Sequence, residues 1–242
     1  MTYRSNKEYS DFWSSLKNPE EIILMQNSSE KPKIFLSVLF YEFTLSLSAG
    51  ILISIFKSVN LIPTNSAQKF VNNSPIWIVF MIAVFFSPFV EELIFRLSLR
   101  LNEKYMHLNI LILVGGLTFT IAHFFNVNFF KILIISLGMI LFLFYLNNKG
   151  LCNKFILGFW NRNFKYVFYF SVMSFGLLHI NNYGKINNSL LLILPILILP
   201  QLITGLFCGY VRLKLGFSWG CLLHSVHNFI LLIPSIMVAL LS

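Results

Sequence analysis

Ile76-Trp-Ile-Val-Phe-Met-Ile-Ala-Val-Phe-Phe-Ser-Pro-Phe-Val-Glu91-Glu92-Leu-Ile-Phe-Arg96 sets fifteen uncharged residues directly ahead of two adjacent glutamates and an arginine. Crossing a hydrocarbon core as a helix takes about 20 residues, with roughly 17 to 25 acceptable. Residues 75–99 meet that length, and the two carboxylates fall inside the span. An ionised glutamate at bilayer depth is costly unless it is paired or faces water, so both need a reason to be there. The rest of the chain is of the same kind. Of its 242 residues 57% are hydrophobic and 11% charged, too few charges to cover a soluble core of that size. The bilayer is the solvent this composition requires.

The length criterion gives seven spans, approximately 34–56, 75–99, 108–125, 129–146, 166–182, 189–211 and 216–241. The last becomes two short helices if it breaks near Pro234. The expected fold is therefore all-α, a polytopic transmembrane bundle of seven to eight helices. Prolines fall within spans at Pro88, Pro195, Pro200 and Pro234, where each frees a carbonyl one turn back; membranes tolerate this where the freed group faces protein or a wet cavity. Gly205 and Gly209 stand at GxxxG spacing and read as a packing contact.

Residues 1–33 form a polar N-terminal arm, and the first apolar run behind it reads as a retained signal anchor, since no small-residue cleavage site follows a short hydrophobic region. With the arm in the cytoplasm, fourteen of the eighteen basic residues lie on the inner side, in the arm, Arg96 to Lys104, Lys149 to Lys165, and Arg212 with Lys214. The net charge of +9 is thus spread over span ends, with no basic stripe for nucleic acid. Cys152, Cys208 and Cys221 show neither a disulfide framework nor a metal-type CxxC. The protein is expected in the cell membrane with the lipid bilayer as its partner, and its Asn, Lys, Ile and Phe content suggests an AT-rich bacterial source.

Three patterns carry chemistry. Glu92 and Arg96 have the favourable i,i+4 order for an ion pair, which leaves Glu91, about 100° around the helix, free to act as a general base. His224 and Asn228 are one helical turn apart, so a ring N–H and an amide N–H can address one oxyanion. His227, three residues after His224, is a neighbour on that span. A Phe-x-x-x-His pattern occurs twice, ending at His123 and at His179. Glu42 is a further acid within a span, and a structural hydrogen bond to a neighbouring helix is its simplest reading.

EExxxR, then FxxxH, then HxxxN on separate membrane helices resembles the CPBP family, which contains type II CAAX prenyl endopeptidases, bacteriocin-processing and self-immunity (Abi) proteins and lysostaphin-resistance-like proteins. The resemblance covers residues 85–230. It implies that Glu91 activates water together with the FxxxH histidine, that His224 and Asn228 stabilise the tetrahedral oxyanion, and that Glu92 and Arg96 complete the first motif. His123 has the family-like distance after the glutamates, whereas His179 has it before His224. His179 is preferred because Phe175 to His179, followed by Gln201, Gly205 and Gly209-Tyr-Val-Arg212, resembles the second half continuously. On that reading residues 34–242 are a CAAX-protease-like domain with an inserted helical pair at 108–146. A simple count of spans, however, puts Glu91 nearer the cytoplasm and His179 nearer the outer face.

The activity implied is hydrolysis of a peptide bond in a membrane-associated protein or peptide. The residues support a metal-free version and a zinc version equally, the latter with Glu91, His179 and His224 as ligands. A noncatalytic bacteriocin-immunity or membrane scaffold protein of the same fold is the alternative. A proton-carrying transporter is disfavoured by the lack of inverted-repeat symmetry.

Overall fold

The computed structural model describes residues 2–59, 62, 73–101, 152–183 and 188–241, with scattered positions between 106 and 141. Among these the secondary structure is helical, with no strand. In chain order the helices are α1 (Thr2–Lys17), α2 (Lys31–Ser58), α3 (Ile76–Arg100), α4 (Cys152–Arg162), α5 (Phe164–Leu178), α6 (Asn188–Leu197), α7 (Leu199–Lys214) and α8 (Phe217–Leu241). The proposed inserted pair at 108–146 lies for the most part outside the described residues, and Phe119 and His123 lie outside them.

Among the described residues three helices are long and apolar enough to cross a membrane, Lys31–Ser58, Ile76–Arg100 and Phe217–Met237. Their faces are inverted relative to a soluble helix. On α2 the buried positions include Glu42 and Ser46, while Leu36, Phe40, Leu47, Ile51 and Ile55 are exposed. On α3 Glu92 and Arg96 are buried, while Trp77, Met81, Phe85 and Phe89 repeat every fourth residue on the outside. Water would penalise those outer stripes and hydrocarbon does not, so the distribution agrees with a membrane protein.

Helix α7 is the centre of the bundle and packs against α2, α5 and α8. It can be central because two small residues admit large neighbours. A Cβ on Gly209 would lie 2.8 Å from the Phe168 ring, and one on Gly205 would lie 3.1 Å from the Arg96 guanidinium and 3.2 Å from Phe175. The GxxxG spacing is therefore a packing device on both counts. Gly216, at φ +116°, takes the left-handed conformation that reverses the chain between α7 and α8 and lays the HxxxN helix against α7.

The expected sixth span at 189–211 is two helices instead of one. Pro200 has no N–H to continue the ladder, and the chain breaks at Ile198 between α6 and α7. Conversely, α8 continues through Pro234 without a break.

The polar arm folds back onto one end of the bundle. The Phe12 ring stacks on Phe207 at 4.1 Å and meets Tyr210 edge-on. Tyr169 donates its hydroxyl hydrogen to the Leu16 carbonyl at 2.5 Å, and the Met25 N–H donates to the Lys214 carbonyl at 2.8 Å. Phe12, Leu16 and Ile22 are buried there. Each such burial stabilises by roughly 1.5–3 kcal/mol at most, enough to hold the arm without a covalent tie.

Candidate active site

Pro88 organises the helix that carries the glutamates. Residues Met81–Phe86 form a π-helical turn, held by hydrogen bonds that reach back five residues, and the Ser87 N–H accordingly donates to the Ile82 carbonyl. The next donor would be the N–H of residue 88, but proline has none, and the Ala83 carbonyl is left without its helical partner. Asn228 on α8 supplies one: its Nδ2 donates to the Ala83 oxygen at 2.8 Å. The asparagine thus ties α8 to the bulge about two turns before Glu91, using one of its two amide hydrogens.

Glu91 and Glu92 then leave the helix in different directions with different fates. Glu92 is fully buried and faces Arg96 Nη1 at 3.5 Å and His224 Nδ1 at 3.2 Å. The sulfur of Cys208 on α7 lies within 4.8 Å of this carboxylate. Gly220 on α8 lies beside this carboxylate, and a Cβ there would stand 3.4 Å from Glu92 Oε2, at ordinary contact distance. Arg96, with no exposed surface, lays its guanidinium over the Phe175 ring at 3.9 Å. An ion pair, a cation–π contact and the Gly205 gap together hold this cation inside the bundle.

Glu91 is partly accessible. Its Oε1 accepts a hydrogen bond from Ser87 Oγ, one turn earlier. Its Oε2 accepts none. That oxygen faces His224 Nε2 at 3.7 Å and His179 Nε2 at 3.9 Å. Both separations exceed a hydrogen bond and suit a small group shared between the three atoms.

The far nitrogen of each ring is already engaged. His179 closes α5 at its C-terminal end, and its Nδ1 lies 2.9 Å from the Phe175 carbonyl, one of the orphan acceptors of a helix terminus. A carbonyl can only accept, so Nδ1 carries the proton. His224 Nδ1 likewise faces the Glu92 carboxylate. In their neutral forms both histidines turn an Nε2 lone pair towards Glu91. Phe175 fills the space between them, edge-on to His179 at 4.8 Å and to His224 at 5.5 Å.

Glu91, Glu92, Arg96, His179 and His224, five of the six residues expected from the sequence, thus converge here, and Asn228 adjoins them through the Ala83 carbonyl. The depth mismatch between Glu91 and His179 does not arise, because α5 is only 15 residues long and His179 sits at its end. Ser87 and Cys208 were not foreseen. Ser87 stands at i−4 from Glu91, a spacing that points to it; Cys208 is brought by tertiary packing from another helix, and nothing local marks it.

Two donor sets bear on a metal. Glu92, Cys208 and His224 are all buried, with ligand atoms within 4.8 Å of one another. Arg96 already neutralises Glu92 there, and a divalent ion beside a fixed guanidinium is unfavourable, so this set does not fit. Glu91, His179 and His224 fit in chemistry: three acceptors converge, and each histidine donates its other N–H to a carbonyl or carboxylate, as metal-bound histidines do. Glu91 Oε2 lies 3.7 and 3.9 Å from the two Nε2 atoms, wider than the roughly 3.4 Å between ligands of tetrahedral zinc at about 2.1 Å, so the side chains would have to move to hold an ion.

A separate apolar cavity of about 370 Å³ lies behind Phe95, lined mainly by aromatic side chains including Trp160, Tyr166 and Phe170, and contains none of the six residues. Volume alone does not mark the reactive centre.

Residues 73–161 match the family model for the type II CAAX prenyl endopeptidase Rce1-like proteins. The chain resembles that family. The matched stretch contains α3 with Glu91, Glu92 and Arg96, and it ends before His179 and His224. No curated protein and no solved structure matches the chain. Family resemblance and apolar helices together support a membrane protease of the CAAX type.

Proposed function

We propose that the protein is an intramembrane endopeptidase that hydrolyses a peptide bond with water activated by Glu91. The observation that carries this reading is Glu91 Oε2, unpartnered and faced by two imidazole nitrogens whose orientation is fixed from behind. Water between these atoms gives a proton to Glu91 Oε2 and attacks the scissile carbonyl carbon as hydroxide, with His179 Nε2 orienting it. The carbonyl oxygen becomes the tetrahedral oxyanion. His224 addresses it in the imidazolium form, with Nδ1–H on the Glu92 carboxylate and Nε2–H on the oxyanion. The second amide hydrogen of Asn228 is the other donor. Collapse breaks the C–N bond, and the proton held by Glu91 passes to the leaving amine. Serine and cysteine nucleophiles are not needed.

Glu91, His179 and His224 would hold a divalent ion such as zinc, which when bound supplies Lewis-acid polarisation and a more acidic water. Metal analysis of purified protein together with chelator sensitivity of turnover separates the two versions.

The basic residues support a cytoplasmic site for the arm. Arg100 donates to the carbonyls of Ile22 and Leu213, Lys31 to that of Leu215, and Arg212 to those of Arg96 and Leu97, so the arm, the end of α3 and the end of α7 share one end of the bundle. The N-terminus is thus cytoplasmic on this reading. The substrate is a peptide or membrane protein reaching Glu91 from the bilayer, and a bacterial source makes a leader peptide or membrane protein more suitable than a prenylated one.

Incubating the protein in liposomes with a peptide library tests the function directly. Discrete cleavage products are expected. Absence of any cleavage, with the fold intact, would favour the noncatalytic immunity or scaffold reading.

A further inference from the structure

A second buried polar cluster lies outside the reaction centre. Glu42 on α2 has no exposed surface, and its carboxylate is bonded on all sides. His227 Nδ1 approaches Oε1 at 2.8 Å and Oε2 at 3.0 Å. Thr204 donates its hydroxyl to Oε1 at 2.8 Å, and Ser46 donates to the same oxygen at 3.0 Å. The cluster therefore joins three helices, α2 through Glu42 and Ser46, α7 through Thr204, and α8 through His227.

Each of its members on α7 and α8 is a close neighbour in sequence of a residue at the reaction centre. Thr204 precedes Gly205, against which Arg96 and Phe175 rest. His227 lies three residues after His224 and directly before Asn228. On α8, His224 is bonded to Glu92, His227 to Glu42 and Asn228 to the Ala83 carbonyl. The first and third of these contacts hold α8 to α3 alone. The second holds it to α2, from another side, and so fixes its rotation.

A carboxylate this deep is a poor choice for stability alone. Replacing a buried ion pair by packed apolar side chains is often neutral or stabilising, whereas a directional pair specifies register. We infer that Glu42, acting through His227, is a positioning residue that sets the rotation of α8 at which His224 Nε2 faces Glu91. Its consequence for turnover rests on the protease reading above; its consequence for geometry does not.

The test compares Glu42→Leu, which fills the same space without an acceptor, with Glu42→Gln, which keeps an acceptor oxygen for His227, and with Thr204→Val, which removes one donor at constant shape. Turnover and the ring ¹⁵N signals of His224 are recorded for each in histidine-labelled protein. Glu42→Leu is expected to fold, to lower kcat by about 10- to 100-fold with KM within about twofold, and to shift the His224 ring nitrogens; misplacement by about 1 Å is sufficient for such a loss. Glu42→Gln is expected to recover most of the loss, and Thr204→Val to show a smaller shift of the same sign. If Glu42→Leu is not recovered folded, Thr204→Val decides by the same signals.

Unchanged His224 signals in folded Glu42→Leu, or in Thr204→Val where Glu42→Leu does not fold, would overturn the positioning role. A shift of those signals in a protein whose Glu91→Gln variant still cleaves peptides would retain it and sink the protease mechanism instead. Equal losses of kcat and melting temperature across all three variants, with His224 unshifted, would reduce Glu42 to a packing residue.

Discussion

The Nδ1 atom of His179 bonds the carbonyl of Phe175, four residues earlier in the same chain segment, so the FxxxH pattern is self-contained: the helix end fixes the ring, and the phenylalanine forms the wall beside it. His179→Ala is accordingly expected to lose turnover nearly as fully as removal of the Glu91 base. Combining the two changes should add little, since groups acting as one unit are strongly non-additive. His123→Ala should cost at most a modest amount, and cleavage rates of the three variants check this. Full activity of His179→Ala beside an inactive His123→Ala would transfer the role to His123. Glu92→Gln belongs to another kind of change. It leaves the Arg96 guanidinium as a buried cation with its ion pair broken, which costs on the order of 3–5 kcal/mol. Thermal unfolding in detergent should show a clear loss of stability together with the loss of activity.

At the scale of elements, the π turn of α3 links a proline to an asparagine on another helix. Pro88→Ala restores an N–H that can close the ladder, and it competes with Asn228 for the Ala83 carbonyl. The expected outcome is a folded protein, no less stable, with turnover lowered by about tenfold or more as Glu91 rotates with the relaxed helix. Asn228→Ala should lower kcat by about 10²- to 10³-fold as an oxyanion donor is lost. Wild-type turnover in either variant would argue against the link. Much at this scale was legible in the sequence. The i,i+4 order of Glu92 and Arg96 foretold their pairing, and the GxxxG spacing of Gly205 and Gly209 foretold a close contact. What Pro88 does was legible only in part. A proline announces that a carbonyl is freed, but which one depends on whether the local register reaches back four residues or five, and the apolar run Met81 to Phe86 contains nothing that selects the register. Likewise the chain breaks at Ile198 ahead of Pro200 while α8 passes through Pro234 unbroken, and a proline alone does not announce which of the two outcomes follows.

For the whole molecule, the membrane-crossing character of α2 and α3 was readable from hydropathy, because length and charge content decide the membrane question before any contact is known. The pairing of Glu42 with His227, 185 residues apart, and of Glu92 with His224, 132 residues apart, was not readable, because only the packing of α2, α3 and α7 around α8 creates it. The proposed cytoplasmic N-terminus rests on the clustering of the arm, Arg100 and Arg212 at one end. Single cysteines placed in residues 1–33 and 149–165 should be labelled only from the cytoplasmic side, and those in 57–74 and 183–188 only from outside. Labelling of the 149–165 segment from outside intact cells would invert the topology and the side of substrate entry.

The most direct test of the central claim is the rate of peptide cleavage in liposomes by Glu91→Gln, an almost isosteric change that keeps an acceptor for Ser87 and removes the base. The expected result is a folded protein at wild-type yield with turnover lowered by about 10²- to 10⁴-fold, the range over which a general base contributes. Turnover close to that of the unaltered protein would contradict water activation by Glu91.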